Sequence, residues 1–252
     1  MYLTVQALVL RVAAYNDYDA LLTLLTRDRG KITVKARGLR RKNNPMTAAC
    51  QVLAFSEFML FEYRGNYTVN EVRSIQLFHK LRNDLQKLSL GSYFSQIAEL
   101  ICQEDVPNPE LQSLLLNSLH ALAELDTPEP QVKAVFELRS ACLAGYTPDL
   151  SCCHNCGKQD ADLFDISEGV LECSGCRVPS SGIRMPISAG VLDGMRYICL
   201  CDAKKLFSFH LPVETMLYLS QVTESYLAAQ LERGFSALDF YKSLLTLESN
   251  FT

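Results

Sequence analysis

Apolar and polar side chains alternate with a period of two over the first 80 or so residues, and β-branched and aromatic residues are frequent there. Strands are expected over residues 3–13, 20–26, 31–37, 52–63 and 66–78. Between them stand Asn16-Asp17, Asp28-Arg29-Gly30, Gly38, Asn43-Asn44-Pro45 and Gly65-Asn66, residues that tolerate the backbone angles of tight turns. Five short strands in so little chain predict a small closed barrel, and five is the strand count of the OB-fold.

After Asn83 the period becomes helical. Leu90, Phe94, Ile97 and Ile101 share one face of a helix. A second helix is expected after Pro109, burying Leu111, Leu115, Leu119 and Leu122. A third is expected after Pro130, burying Val135, Leu138 and Cys142 and ending at Gly145. Residues 148–182 interrupt this pattern with a cysteine-rich insert, and helices resume over 188–199, 213–232 and 237–247. The expected fold class is therefore α+β and multidomain. It comprises a five-stranded barrel at 1–80, a helical domain from 81–147 and 183–252, and a metal-binding insert at 148–182.

In the insert, Cys153 and Cys156 are followed sixteen residues later by Cys173 and Cys176. This Cys-x2-Cys-x16-Cys-x2-Cys spacing is that of a four-thiolate zinc site. Two intervening residues let a tight turn aim both sulfurs of a pair at one ion, with Gly157 and Gly175 easing the backbone beside each turn. Four protein ligands leave no open position, so a structural Zn2+, one per chain, is expected rather than a catalytic one. A shifted ligand set using the neighbouring Cys152 or His154, a redox dithiol and a buried reduced cluster are the alternatives. Cys50, Cys102, Cys142, Cys199 and Cys201 are scattered and read as small buried hydrophobes.

Composition changes the picture through its distribution. The net charge of -4 argues by itself against a nucleic-acid partner, yet residues 1–80 hold twelve Lys+Arg against six Asp+Glu, leaving residues 81–252 at -10. The positive excess sits in one stretch containing Arg27, Arg29, Lys31, Lys35, Arg37, Arg40, Arg41 and Lys42, with Asp28 its one acid. On a strand, Ile32, Val34 and Ala36 would face the barrel core, and Lys31, Thr33, Lys35 and Arg37 would share the outer face, about 7 Å apart in two-residue steps. Arg40, Arg41 and Lys42 extend the patch into an expected flexible loop. Such a row suits sequence-independent contact with phosphates, and Tyr63, Tyr67, Phe55 and Phe58 on neighbouring strands are candidate base-stacking surfaces. The competing reading is an ordinary solvated charge face and, for the aromatics, barrel core.

The chain contains no Gly-x-x-x-x-Gly-Lys-Ser/Thr, no Gly-x-Gly-x-x-Gly and no Gly-x-Ser-x-Gly. His79, His120, His154 and His210 are dispersed, and no His-x-Glu precedes the cysteine pairs. No catalytic residue is nominated. No apolar run approaches the ~18 residues that cross a bilayer, and residues 1–14 have no basic leader region, so a soluble cytosolic chain without membrane contact is expected.

Three separated stretches together resemble the bacterial RecO family of DNA repair proteins. The first is Ala7-Leu8-Val9-Leu10 with Tyr18-Asp19-Ala20-Leu21-Leu22-Thr23-Leu24-Leu25-Thr26-Arg27-Asp28-Arg29-Gly30-Lys31. The second is Gly145-Tyr146-Thr147-Pro148-Asp149-Leu150 with Cys153, Cys156-Gly157, Gly169-Val170-Leu171-Glu172-Cys173 and Cys176. The third is Tyr226-Leu227 with Leu231-Glu232-Arg233-Gly234-Phe235-Ser236-Ala237-Leu238-Asp239-Phe240. The resemblance implies an OB-fold followed by a zinc-carrying helical domain. It also implies a non-enzymatic recombination mediator that binds single- and double-stranded DNA, anneals complementary strands and works in the cytoplasm on the nucleoid. Its implied partners are RecR, the C-terminal tail of single-stranded DNA-binding protein and, indirectly, RecA. Cys152 and the pair Cys199 and Cys201 depart from the family pattern. The alternative from another functional class is a zinc-ribbon scaffold for protein partners with little direct DNA contact.

Overall fold

A computed structural model describes residues 1–159, 161–176 and 182–249. They form two compact units, one from residues 1–125 with the segment from Phe235 onward, the other from residues 126–234. The sequence division follows the change of hydrophobic period, whereas these units follow which elements bury each other's faces, so helices 85–101, 109–124 and 236–249 share a unit with the barrel.

The first unit opens with five strands: β1 (Tyr2–Ala14), β2 (Ala20–Thr26), β3 (Gly30–Ala36), β4 (Phe55–Tyr63) and β5 (Asn66–Gln76). They close into an OB-like barrel of order β1-β2-β3-β5-β4. Closure is made by a short parallel pairing of β3 with β5, Val34 opposite Tyr67 and Lys35 opposite Thr68. β1 is long enough to pair with both β2 and β4, and a register shift between Val9 and Arg11 bends it. The interior is filled by Ala7, Val9, Leu22, Leu24, Ile32, Val34, Phe58, Leu60 and Val69, and is plugged by Leu39, Cys50 and Ala54 from the β3–β4 connection. Strand β2 does not alternate, because its outward face is also covered. The Gln112 Nε2 amide of the nearby helix donates to the Leu25 carbonyl at 2.9 Å.

Two expected boundaries and one connection differ, each for a local reason. β4 begins at Phe55 rather than at 52. Before it Leu53 takes a left-handed φ of 66°, and the Val9 N–H donates to the Ala54 carbonyl while the Leu53 N–H donates to that of Val9. β5 stops at Gln76 because Phe78, at φ 49°, turns the chain into the one-turn helix α1 (His79–Arg82). The basic connection after β3 is a hydrogen-bonded turn rather than a free loop: the Arg41 N–H donates to the Gly38 carbonyl, and those of Asn44 and Thr47 to Arg41 and Asn44.

Helix α2 (Leu85–Ile101) is capped by the Asp84 carboxylate, which accepts from the N–H groups of Gln86 and Lys87. Helix α3 (Pro109–Glu124) is capped by Asn108, with Pro109 in its first turn. Their expected faces are buried except for Ile101, which is half-buried. Gly91 lets them pack closely, since a Cβ there would lie 3.0 Å from Leu53 Cδ1 and 3.1 Å from Leu119 Cδ2. The last helix of the chain, Ser236–Ser249, returns to α2, with the rings of Phe235 and Tyr93 5.3 Å apart edge to face.

The second unit contains α4 (Glu129–Leu143), α5 (Ala189–Leu200) and α6 (Val213–Leu231), so the closing helix of the first unit is α7. Within α4, Lys133 and Glu137 are buried. The Lys133 ammonium pairs with Glu137 at 2.9 Å and with Glu224 of α6 at 2.8 Å, and the Thr223 hydroxyl donates to Glu137 at 2.8 Å. Between α4 and α5 the chain folds a small sheet absent from the sequence reading, ordered β6 (Asp149–Cys153), β8 (Val170–Glu172), β7 (Leu163–Asp165), β9 (Arg184–Pro186). Its strands are too short for their alternation to be distinctive. The Arg184 guanidinium ties the edge by gripping both carboxylate oxygens of Glu172.

Candidate nucleic-acid interface and metal centre

β3 alternates as expected: Ile32, Val34 and Ala36 are buried, while Lys31, Thr33, Lys35 and Arg37 lie on the outer side. The eight basic residues are nevertheless not equivalent. Lys31 Nζ donates to the Glu99 carbonyl in the last turn of α2 at 2.9 Å, and Arg29 to the Tyr67 hydroxyl at 3.3 Å. Lys35 Nζ pairs with Asp19 at 3.0 Å and sits 4.4 Å from the centre of the Tyr15 ring. Arg40 donates to the Asn16 carbonyl, and Arg41 stacks on Tyr18 at 5.2 Å. Arg27, Arg37 and Lys42 are exposed, and their side chains make no hydrogen bond or ion pair among the described residues.

Asp19 anchors this patch. Its carboxylate accepts the Gly38 N–H at 2.8 Å and the Asn16 amide at 3.1 Å, besides the Lys35 ammonium. The Gly38 N–H first, then Lys35, hold its carboxyl well below the usual carboxylate range, at about 2. Because the folded value is depressed, the anchor is fully present above the ordinary aspartate value and is lost as pH falls toward 2.

In front of β3 lies a cleft of about 620 Å³ lined by Lys35, Arg37, Tyr15, Phe61, Tyr63 and Tyr67, and also by the acidic Glu104 and Asp105. Of the expected stacking aromatics, Tyr63 is 59% exposed and Tyr67 half-buried at this cleft. Phe58 is fully buried barrel core, and Phe55 is half-buried away from the cleft lining. Phe61 and Tyr15 line it unexpectedly. Phe61 was legible in principle, standing two residues from Tyr63 on the same strand face. Tyr15 arrives only through the β1–β2 turn.

The Sγ atoms of Cys153, Cys156, Cys173 and Cys176 all lie within 4.8 Å of one another. An ion holding sulfur at about 2.3 Å in a tetrahedron needs sulfurs about 3.8 Å apart, and those of Cys156 and Cys173 are at 3.7 Å. β6 delivers Cys153, β8 leads into Cys173, and a 3₁₀ turn over Ser174–Cys176 carries Cys176 round to the group. The Cys173 N–H points at the Cys153 sulfur at 3.3 Å. Burial pushes the Cys153 thiol up, but the N–H groups of Cys156, Asn155 and Cys173 outweigh it and bring it down to about 6. Cys176 is driven up to about 12, first by its hydrogen bond with Cys156 and then by that with Cys173. Four sulfurs this close repel as thiolates, a repulsion that one cation relieves, so the residues fit a metal ion.

Cys152 and His154 lie outside the group, Cys152 taking the Ser151 hydroxyl at 3.7 Å and His154 exposed. Gly157 has the left-handed φ of 72° expected of a turn glycine, whereas Gly175 has no such angle and no neighbour within 4 Å of an added Cβ, so no backbone need explains it. Cys50 and Cys102 are buried, as expected, and burial raises both thiols, that of Cys50 to about 12. Cys142, Cys199 and Cys201 are only half-buried, contrary to the expectation of core hydrophobes.

The model for Recombination protein O N terminal matches residues 1–78, and that for Recombination protein O C terminal matches residues 82–239. The chain belongs to the RecO family. Among RecO proteins, the "DNA repair protein RecO" of Acetivibrio thermocellus is 32% identical over 245 residues, covering 96% of this chain and 97% of that relative. That of Symbiobacterium thermophilum is 30% identical over 247 residues, 95% and 96% of the two chains, and that of Alkaliphilus metalliredigens 28% over 248 residues, 97% and 100%. The two RecO models meet at the turn between β5 and α2, where Phe78 redirects the chain. No helix of the described residues is long and apolar enough to cross a membrane.

Proposed function

We propose that this chain is a non-enzymatic recombination mediator in DNA repair. On this reading it binds single- and double-stranded DNA, anneals complementary strands, and with RecR helps RecA replace single-stranded DNA-binding protein in the cytoplasm. The observation that carries this reading is the cleft on β3, which places Lys35 and Arg37, the latter without a side-chain partner among the described residues, beside accessible aromatic rings in a chain of the RecO family. Arg27, Arg37 and Lys42 meet phosphates directly. Arg29, Lys31, Lys35, Arg40 and Arg41 shape the patch and add to its field, since their side chains already have partners. Tyr63, Phe61 and Tyr15 offer faces on which bases stack without regard to sequence. Glu104 and Asp105 line part of the cleft with negative charge, which turns a phosphate chain toward Arg37.

Annealing then needs no bond chemistry: cations neutralise phosphates on two strands, their repulsion falls, and bases held in the open meet their complements. The metal is Zn2+, held by Cys153, Cys156, Cys173 and Cys176. When bound it staples the small sheet, and with four thiolates it has no free position for a substrate. The test is annealing of complementary oligonucleotides coated with single-stranded DNA-binding protein. The reading expects acceleration that is lost in Arg27→Ala/Arg37→Ala/Lys42→Ala. Absence of annealing and of salt-dependent DNA binding by the intact chain would turn the assignment to a protein-binding scaffold.

A further inference from the structure

Four cysteines of the second unit, Cys142, Cys152, Cys199 and Cys201, take no part in the metal group, and two of them meet. Cys142 lies near the end of α4 and Cys199 near the end of α5, and their Sγ atoms are 3.8 Å apart. The approach is built by the helices. One turn before Cys142, Arg139 donates to the carbonyls of Cys199 at 2.6 Å and Ile198 at 3.1 Å, satisfying the end of α5 and fixing the two sulfurs side by side. Both thiols are half-buried rather than sealed in the core.

We propose that Cys142 and Cys199 form an oxidation site for hydroperoxides, closing to a disulfide that joins α4 to α5. The Cys142 thiolate attacks the peroxide oxygen, the O–O bond breaks, and the leaving hydroxide or alkoxide takes up a proton. The Cys199 sulfur then attacks the Cys142 sulfenic acid, forming the S–S bond. The S–O bond breaks, and water leaves with the proton of Cys199. Two thiols and one hydroperoxide thus give one disulfide, one alcohol (water, for hydrogen peroxide) and one water.

The electrostatics favour Cys142 as the attacking sulfur. Its hydrogen bond with Cys199, first, outweighs burial, with Thr147 and the Arg139 charge helping, and the thiol is drawn down to about 7. Cys199 is correspondingly pushed up, which keeps the second proton on the pair. Tyr226 also faces the two thiols and stays protonated, its hydroxyl pushed well above the usual tyrosine range chiefly by burial and donated to the Tyr146 carbonyl. Cys201 stands two residues from Cys199 and is raised by burial, so it is the slower thiol.

The test treats the full-length, metal-loaded chain with hydrogen peroxide and follows intact mass, peptide linkage and bound metal together. The expected result is loss of two hydrogens per chain, a Cys142–Cys199 linked peptide, and metal retained. Cys201→Ser should behave like the parent. Cys199→Ser should stop at a sulfenic acid on Cys142 that a 1,3-diketone traps, and Cys142→Ser should lose thiols about tenfold more slowly. Three results would overturn the proposal: a linkage among Cys153, Cys156, Cys173 and Cys176 with metal release, a Cys199–Cys201 linkage in the parent, or no oxidation of Cys142. Circular dichroism of the three serine variants separates these outcomes from misfolding.

Discussion

Removing Arg27, Arg37 and Lys42 together tests the interface at its most exposed points. Each is solvent-exposed, and no side-chain partner is present for it among the described residues, so each is free to displace one counterion from a phosphate. For single strands every such contact adds about 0.7 to the slope of log affinity against log salt. The triple alanine variant should therefore have a slope shallower by about 2. Between about 50 and 200 mM salt it should lose about 15- to 20-fold less affinity than the parent does over the same interval, after starting weaker. Lys35→Ala is the informative control. Its ammonium is already paired with Asp19 at 3.0 Å, and Asp19, held at about 2, remains ionised at any working pH. Its removal should change the slope by less than about 0.7. The assay is fluorescence anisotropy of a labelled oligothymidine across a potassium chloride series, with thermal melts to show that each variant is folded. A parental slope in the triple variant, or equal flattening by Lys35→Ala, would refute the reasoning.

Other outcomes follow from single features. Gly30→Ala should cost at least 1–2 kcal/mol, roughly the left-handed backbone penalty alone, because Gly30 has φ 60° and an added Cβ would lie 1.9 Å from the Val106 carbonyl oxygen; denaturant midpoints measure it. Lys133→Met leaves Glu137 buried without its cation and should destabilise by about 3–5 kcal/mol. Lys133→Met/Glu137→Gln should recover part of that loss, and no recovery would show that the pair does not act as a unit. Stripping the metal with a chelator, or Cys153→Ser, should lower the melting temperature of the second unit while oligonucleotide affinity at the barrel stays within about twofold of the parent, since no DNA contact is assigned to the sulfur group. Mass spectrometry under native conditions should find one zinc per chain before stripping.

The alternation along β3 and the helical stripes of α2 and α3 settled the core faces from sequence alone, because a side chain's direction follows from its position in a regular element. The four-thiol group was legible for a related reason: short ligand spacing is a local geometric demand, and Cys153, Cys156, Cys173 and Cys176 do converge. Charge order along the chain likewise located the basic segment within a molecule of net charge -4. Tertiary structure decided what no local pattern records. It paired Lys35 with Asp19 and Lys31 with the end of α2, leaving only part of the basic run free, and it brought Tyr15 to the cleft while placing Phe58 in the core. It also set Cys142 against Cys199 across 57 residues of chain. Periodicity reports how a residue faces its own element, whereas a partner distant in sequence is chosen by packing, through contacts formed only once the elements have closed on one another.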